Sequence, residues 1–237
     1  LHHPTIEVVA VNDIADIKTL AHLLKYDSIH GVLKESIDIK GQNLSIDTNE
    51  IVFSSERSIK EIAWPSLDIV VECTGKIKQK NELSYHLTNG AKKVILSVPP
   101  VEDNIKTVVL GVNDLILSEE DTIISNASCT TNNAAPMLQV IDELCGIQQA
   151  YITTVHSYTT DQSLHDQPHR DLRRARAAGQ SIIPTTTGAA KALTKIFPDL
   201  AATNNIPWIP FLLENAAGIP DLNLEDGIHP TAEGHRS

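Results

Sequence analysis

The chemistry in this sequence starts at Cys129, in the run SNASCTTNN (residues 125–133) that joins an apolar strand to a helical stretch from Ala134 to Leu144. The hydroxyls of Ser128, Thr130 and Thr131 can cap the free amides of a first helical turn. The helix dipole favours an anion at that place, so a thiol there ionises more readily. Small neighbours leave the sulphur open to a substrate. A free cysteine is most often a small buried hydrophobe, and the polar flanks argue against that fate here. Twenty-seven residues on, Ala150–Val155 reads as a strand ending in His156, a base able to hold the cysteine as thiolate. The pair alone fits an aldehyde-oxidising thiol enzyme and a cysteine hydrolase equally.

These groups need a scaffold that gathers strand ends. Ile6–Val11 is a β-branched run closed by Asn12-Asp13, and Ala15–Leu24 has helical spacing. Ile37–Phe53 alternates and turns twice, as a small antiparallel insert would. Leu67–Glu72, Lys93–Ser97, Thr107–Val112 and Thr122–Ser125 are further apolar runs, with a helical stretch at Gln79–Thr88. Strands separated by helices imply βαβ units: an α/β fold with a truncated Rossmann-type parallel sheet, followed by an incomplete α+β catalytic domain. In such sheets the functional residues lie at the carboxyl ends. Asp13, Thr74-Gly75, Ser97 and Ser125-Asn126 all stand at such ends, so one crevice is expected to collect them, although each alone is an ordinary turn residue. No G-x-G-x-x-G is present, and the chain starts at Leu1, after the place of a first strand and its Gly-rich turn. That reads as a truncated start. At the end of the next strand, Asp13 is where a carboxylate accepts from adenosine ribose hydroxyls and repels a 2′-phosphate, so NAD is expected over NADP.

The whole chain sets bounds. Its 237 residues, 41% of them hydrophobic, suffice for one large or two ordinary domains. With aromatics at 4%, the core must rely on Ile, Val, Leu and Ala. A net charge of -11 argues against a nucleic-acid partner. Arg170, Arg173, Arg174 and Arg176 supply a local cationic cluster for an anionic substrate. Cys73, Cys129 and Cys145 are an odd number at no metal-ligand spacing, so no metal site is expected and free thiols in a reducing, cytoplasmic setting are. No run approaches about 18 apolar residues, and no membrane partner or signal peptide is expected.

Longer stretches separate the two chemistries. SNASCTTN, TTVHSYTTDQ and PHRDLRRARAAGQSIIPTTTGAAKAL, preceded by VVAVNDIADIKTLAHLLKYDSIHG, SERSIKEIAW, VECTG and GAKKVILS, resemble the glyceraldehyde-3-phosphate dehydrogenase family in order, over about residues 1–200. The resemblance implies an NAD-dependent, phosphorylating aldehyde dehydrogenase of glycolysis. Cys129 matches the nucleophile that forms a hemithioacetal and then a thioester, and His156 the base. Ser128, Thr130, Thr159, Thr187 and Gly188 match positions that bind the substrate phosphate and the attacking inorganic phosphate, a role hydroxyls and amides suit. Asp13, Arg57, Thr74, Gly75 and Ser97 match cofactor contacts. The family is homotetrameric, and the arginine-rich loop at 165–181 resembles the one lining its cofactor site and subunit interface.

The sequence also departs from that pattern. Asn133 stands where a second cysteine is common, and Lys76-Ile77 replace the usual small-aromatic pair after Gly75. Residues 206–237, IPWIPFLLENAAGIPDLNLEDGIHPTAEGHRS, resemble instead the C-terminal block of SGNH (GDSL-type) esterases, with Asp226 and His229 as acid and base of a triad whose G-D-S nucleophile the chain lacks. The expected division is therefore a dinucleotide-binding domain at 1–127, a partial catalytic domain at 128–200 and an unrelated tail at 201–237. On that division the alternatives are an esterase remnant or a chimeric fragment of little or no activity.

Overall fold

The computed structural model describes residues 3–147, 150, 152–185, 187–189, 192–193 and 195–197. They form two compact units. One runs over Leu1–Thr107 with Leu117–Ala127, the other over Val108–Ile116 with the described residues from Ser128 on.

In the first unit, β1 (Ala10–Asn12) leads through Asp13 into α1 (Ile17–Lys25). Asp16 caps that helix, its carboxylate accepting from the Thr19 amide at 2.9 Å and hydroxyl at 2.8 Å. A hairpin of β2 (Tyr26–Asp27) and β3 (Gly31–Val32) follows. Periodicity missed it because its strands are two residues each and its turn is made by Asp27, which accepts from the Ile29 and His30 amides. The antiparallel insert is present as β4 (Ile37–Lys40), β5 (Asn43–Ile46) and β6 (Asn49–Ser54). Strand β6 also pairs in parallel with β1, giving the order β1-β6-β5-β4. The expected strand at Ile6–Val11 shrinks to its last residues. A ladder exists only where a neighbour supplies one, and the register begins at Ala10 opposite Val52.

The second sheet is fully parallel, in the order β7-β8-β10-β9. Its strands are β7 (Leu67–Glu72), β8 (Ala91–Leu96), β9 (Lys106–Thr107) and β10 (Ile123–Ser125). Helix α2 (Lys80–Thr88) connects β7 to β8, the kind of crossover a parallel pair needs. Leu83 of α2 packs on Val94, Leu96, Ile105 and Ile123. Burying side chains of this size contributes about 1.5–3 kcal/mol each, so this cluster anchors the sheet. The mixed α/β architecture with a parallel sheet is the one the alternating runs implied. The strand expected at Thr107–Val112 ends at Thr107. Val108, Val109 and Val112 are buried in a turn closed by Asn113, which accepts from the Val109 amide at 2.8 Å and donates its own amide to the Val109 carbonyl at 3.2 Å. An apolar run buried as a turn carries no period that separates it from a strand.

In the second unit α3 spans Cys129–Cys145. Its buried residues Thr131, Ala134, Ala135 and Leu138 recur at helical spacing on one face. The helix starts five residues earlier than its apolar periodicity indicates, because a cap, not apolar spacing, sets the beginning. Gly146, at φ +72°, ends it, its amide donating a hydrogen bond to the Asp142 carbonyl. No strand forms among the described residues of 150–155. Val155 is 98% exposed and no described strand pairs with this segment, so its β-branched residues lack the partner a ladder needs. Among the described residues no helix is long and apolar enough to cross a membrane.

Candidate active site

Ser128 is the N-cap of α3, with extended backbone at φ -118° and ψ 165°. Its hydroxyl accepts from the Thr131 amide at 3.1 Å and lies 2.7 Å from the Thr131 hydroxyl. Its carbonyl accepts from the Asn132 amide and side chain. The capping is therefore narrower than the sequence suggested: among the described residues Ser128 caps the first turn, Thr131 is its partner, and Thr130 faces the thiol instead. Just before the cap, Ala127 is fully buried at φ +59°, a conformation that costs a non-glycine residue about 1–2 kcal/mol.

Cys129 is thus the first residue of the helix. Its Sγ lies 3.2 Å from Nε2 of His156, so the two groups meet without the strand expected to carry the histidine. The other ring nitrogen, Nδ1, donates to the Ser157 carbonyl at 2.6 Å. That bond turns Nε2 toward the sulphur and fixes the tautomer. The hydrogen bond from His156 holds the Cys129 thiol below its ordinary range, burial opposes this, and the Thr130 amide adds to the lowering. The Ser157 carbonyl, then the Cys129 sulphur, hold the imidazole above its ordinary value. The contact therefore draws the two groups toward a thiolate–imidazolium pair, each favouring the charged form of the other. Both side chains are exposed, so a substrate can reach them. The Ser157 carbonyl was not foreseen, and its only trace in the sequence is adjacency to His156.

The remaining candidates divide. Thr187 Oγ1 accepts from the Ala189 amide at 3.2 Å at the start of a helical turn, where Gly188 has open space about its Cα. Thr159 is exposed, its carbonyl accepting from the Gln162 amide. No hydrogen bond among the described residues joins Thr159 or Thr187 to Cys129 or His156. The arginine cluster is largely neutralised by nearby aspartates. Arg173 pairs with Asp171 at 2.8 Å, Arg176 with Asp166 at 2.8 Å, and Arg174 with Asp161 while donating to Thr185. Four cations close in sequence repel one another, and the neighbouring aspartates relieve this. Arg170 alone of the four makes no ion pair among the described residues.

In the first unit, Thr74-Gly75 and Ser97 lie at the aligned carboxyl ends of β7 and β8, where Glu72 is level with Leu96, and Ser125-Asn126 stand at the end of β10 beside them. Gly75 adopts φ +68°, which a glycine takes without strain. Asp13 stands at the end of β1, in the other sheet, so the single crevice is not formed by one sheet. Its Oδ1 accepts from the Ala15 amide at 2.8 Å, and no partner among the described residues takes Oδ2. Beside it, Asn12 holds the loop that carries Arg57, donating to the Glu56 carbonyl and accepting from the Glu56 amide. Arg57 itself is exposed. Sequence reasoning passed over Glu72, a buried carboxylate that accepts from the Thr74 amide at 2.8 Å and hydroxyl at 2.5 Å. A carboxylate closing an otherwise apolar strand was the available signal. Asp226 and His229 of the tail lie outside the described residues.

Comparison with known proteins bears on both units. The family model described as the NAD binding domain of glyceraldehyde 3-phosphate dehydrogenase matches residues 1–80, and that of its C-terminal domain matches residues 128–206. Glyceraldehyde-3-phosphate dehydrogenase of Geobacillus stearothermophilus is 51% identical over 208 residues, covering 86% of this chain and 62% of that protein. The first such enzyme of Bacillus subtilis is 48% identical with the same coverage. That of Priestia megaterium is 46% identical over 247 residues, covering 99% of this chain and 73% of that protein. The chain thus spans about 62% of the length of the first two. The esterase resemblance finds no support, the C-terminal domain match runs past residue 200 to 206, and the Priestia relative aligns over nearly the entire chain.

Proposed function

From the premise that the chain belongs to the glyceraldehyde-3-phosphate dehydrogenase family, we propose that it serves the phosphorylating oxidation of glyceraldehyde 3-phosphate to an acyl phosphate, with NAD, in glycolysis. The observation that carries this is the 3.2 Å contact of Cys129 Sγ with His156 Nε2 at the first residue of α3. It supports Cys129 as nucleophile and His156 as base. The thiolate adds to the aldehyde carbon, and the imidazolium gives its Nε2 proton to the forming alkoxide. The neutral imidazole takes that proton back as the hemithioacetal carbon is oxidised to a thioester. Inorganic phosphate then attacks the thioester, which releases the acyl phosphate and restores the thiolate. When bound, NAD supplies the two-electron acceptor for this oxidation.

The first unit fits such a cofactor in one concrete respect. Asp13 uses one carboxylate oxygen on its own turn and keeps the other as an acceptor, which suits a ribose hydroxyl and repels a 2′-phosphate. In this reading Asp13, Arg57, Thr74, Gly75 and Ser97 hold NAD, residues 1–127 are the dinucleotide-binding domain and residues from 128 belong to the catalytic one. Ser128, Thr130, Thr159, Thr187 and Gly188 bind the two phosphates, helped by hydroxyls that remain exposed at Thr159 and Thr187. The chain assembles as a homotetramer, which the exposed Val155, Leu172 and Ile182 would favour by finding cover. Three exposed free thiols suit the cytoplasm.

The test is acylation of the full chain. With glyceraldehyde 3-phosphate and NAD but no phosphate, mass spectrometry should find a glyceroyl 3-phosphate adduct on Cys129 matched by an equal amount of NADH. Added phosphate should release it. An adduct on Cys73 or Cys145 instead, or none in a chain that binds NAD, would overturn the assignment.

A further inference from the structure

Behind Thr74–Gly75 lies a buried polar chain that the reaction does not use. Glu72 and His86 have side chains only 5% and 3% exposed, and Nε2 of His86 is 3.1 Å from Glu72 Oε2. The indole of Trp64 lies 3.0 Å from His86 Nδ1. An indole N–H only donates, so Nδ1 must be the acceptor and the proton sits on Nε2, aimed at the carboxylate. His86 is therefore the neutral Nε2–H form, pinned from one side and donating on the other. The second oxygen, Oε1, accepts both the amide and the hydroxyl of Thr74, and Thr74 Oγ1 in turn accepts from the Lys76 amide at 3.2 Å. The Glu72 carbonyl takes the Ser97 amide at 3.1 Å. The buried carboxylate thus shapes the turn at Thr74–Gly75, while the backbone carbonyl of the same residue joins the start of the Ser97 loop. Burial opposes its ionisation, yet the bonds from His86 and Thr74 outweigh this and hold Glu72 below the ordinary carboxylate range.

We propose that Glu72 is the positioning residue of the turn at Thr74–Gly75, and that His86 and Trp64 hold its carboxylate in the orientation that sets this turn for a dinucleotide. The inference rests on Thr74 and Gly75 being cofactor contacts. The chemistry makes Glu72→Gln informative. A carboxamide has one acceptor oxygen and turns an N–H toward a donor, so it cannot serve both His86 and Thr74. His86→Gln can donate to Glu72 and accept from Trp64, whereas His86→Leu can do neither.

The experiment measures amide hydrogen exchange residue by residue in the full chain without cofactor, and NAD affinity by calorimetry, well below the unfolding temperature. Exchange at Thr74 and Lys76 should rise by about tenfold or more in Glu72→Gln and His86→Leu, the loss expected for a hydrogen bond to a charged group. NAD should bind about tenfold more weakly in parallel, and His86→Gln should restore both. The alkylation rate of Cys129 should not change. Unchanged exchange at Thr74 and Lys76 would overturn the proposal whatever NAD does. A rise spread evenly over the first unit would also overturn it, since that marks a merely structural role. Loosened amides with unchanged NAD affinity would instead sink the cofactor reading of Thr74–Gly75, and with it the role toward a dinucleotide. If Glu72→Gln does not fold, the contrast between His86→Leu and His86→Gln decides the same question.

Discussion

Replacing His156 by Asn should slow the alkylation of Cys129 at pH 7 by about tenfold, and the size follows from the geometry. The 3.2 Å between Sγ and Nε2 gives about 1.3 kcal/mol for a unit charge pair in water, close to a factor of ten in the thiolate population. Water is the right medium because both side chains are exposed. The sign is set by the two shifts. The thiol is lowered and the imidazole raised, so with His156 present the thiolate appears at lower pH than an ordinary thiol gives. Without His156 the thiolate appears later, and the rise of rate with pH should move upward. Above about pH 9.5 both proteins carry thiolate, and the variant should match or slightly exceed the wild type, since a more basic thiolate is the better nucleophile. Iodoacetamide labelling read peptide by peptide measures this, with Cys73 and Cys145 as references in the same tube. Superimposable pH profiles for the two proteins at Cys129 would refute the reasoning.

Three further outcomes test the frame. Ser128→Ala should lower stability by about 1 kcal/mol in denaturant unfolding, because the Thr131 amide loses its acceptor. Leu83→Ala should cost about 2–5 kcal/mol by the same measurement, since Leu83 is fully buried at the centre of the parallel-sheet core. The Asp121 carboxyl is held down at about 2, from an ordinary 3.8, first by Lys106 and then by the Ser118 amide. Its contribution is present above about pH 4 and lost as pH falls through about 2. The melting-temperature gap between wild type and Asp121→Asn should therefore narrow over that interval, and a gap that is flat with pH would rule this out.

Composition, β-branched runs and turn residues were enough to read the α/β class, the antiparallel insert and the strand at Leu67–Glu72, because these depend on local periodicity. Boundaries at Ile6–Val9 and Val108–Val112 were not legible, since a strand ends where its neighbour does. The segment before His156 carries strand-like residues and forms no strand, for the same reason. The four arginines read as a cationic patch, yet three of them meet aspartates, two in the same loop and Asp161 just before it. Pairing depends on how the loop closes, which spacing does not reveal.

Cys129 marks the division. Its place at a helix start was decided by sequence alone, because a serine cap followed by a threonine three residues on is a local device whose parts are adjacent in the chain. That its sulphur faces Nε2 of a histidine 27 residues away, with Nδ1 taken by the Ser157 carbonyl, was decided only by tertiary structure. So was the turn at Thr74–Gly75, held from behind by Glu72, His86 and Trp64. Caps and turns are closed by neighbours along the backbone, whereas thiol activation and a buried carboxylate depend on partners that only folding brings within a hydrogen bond's length.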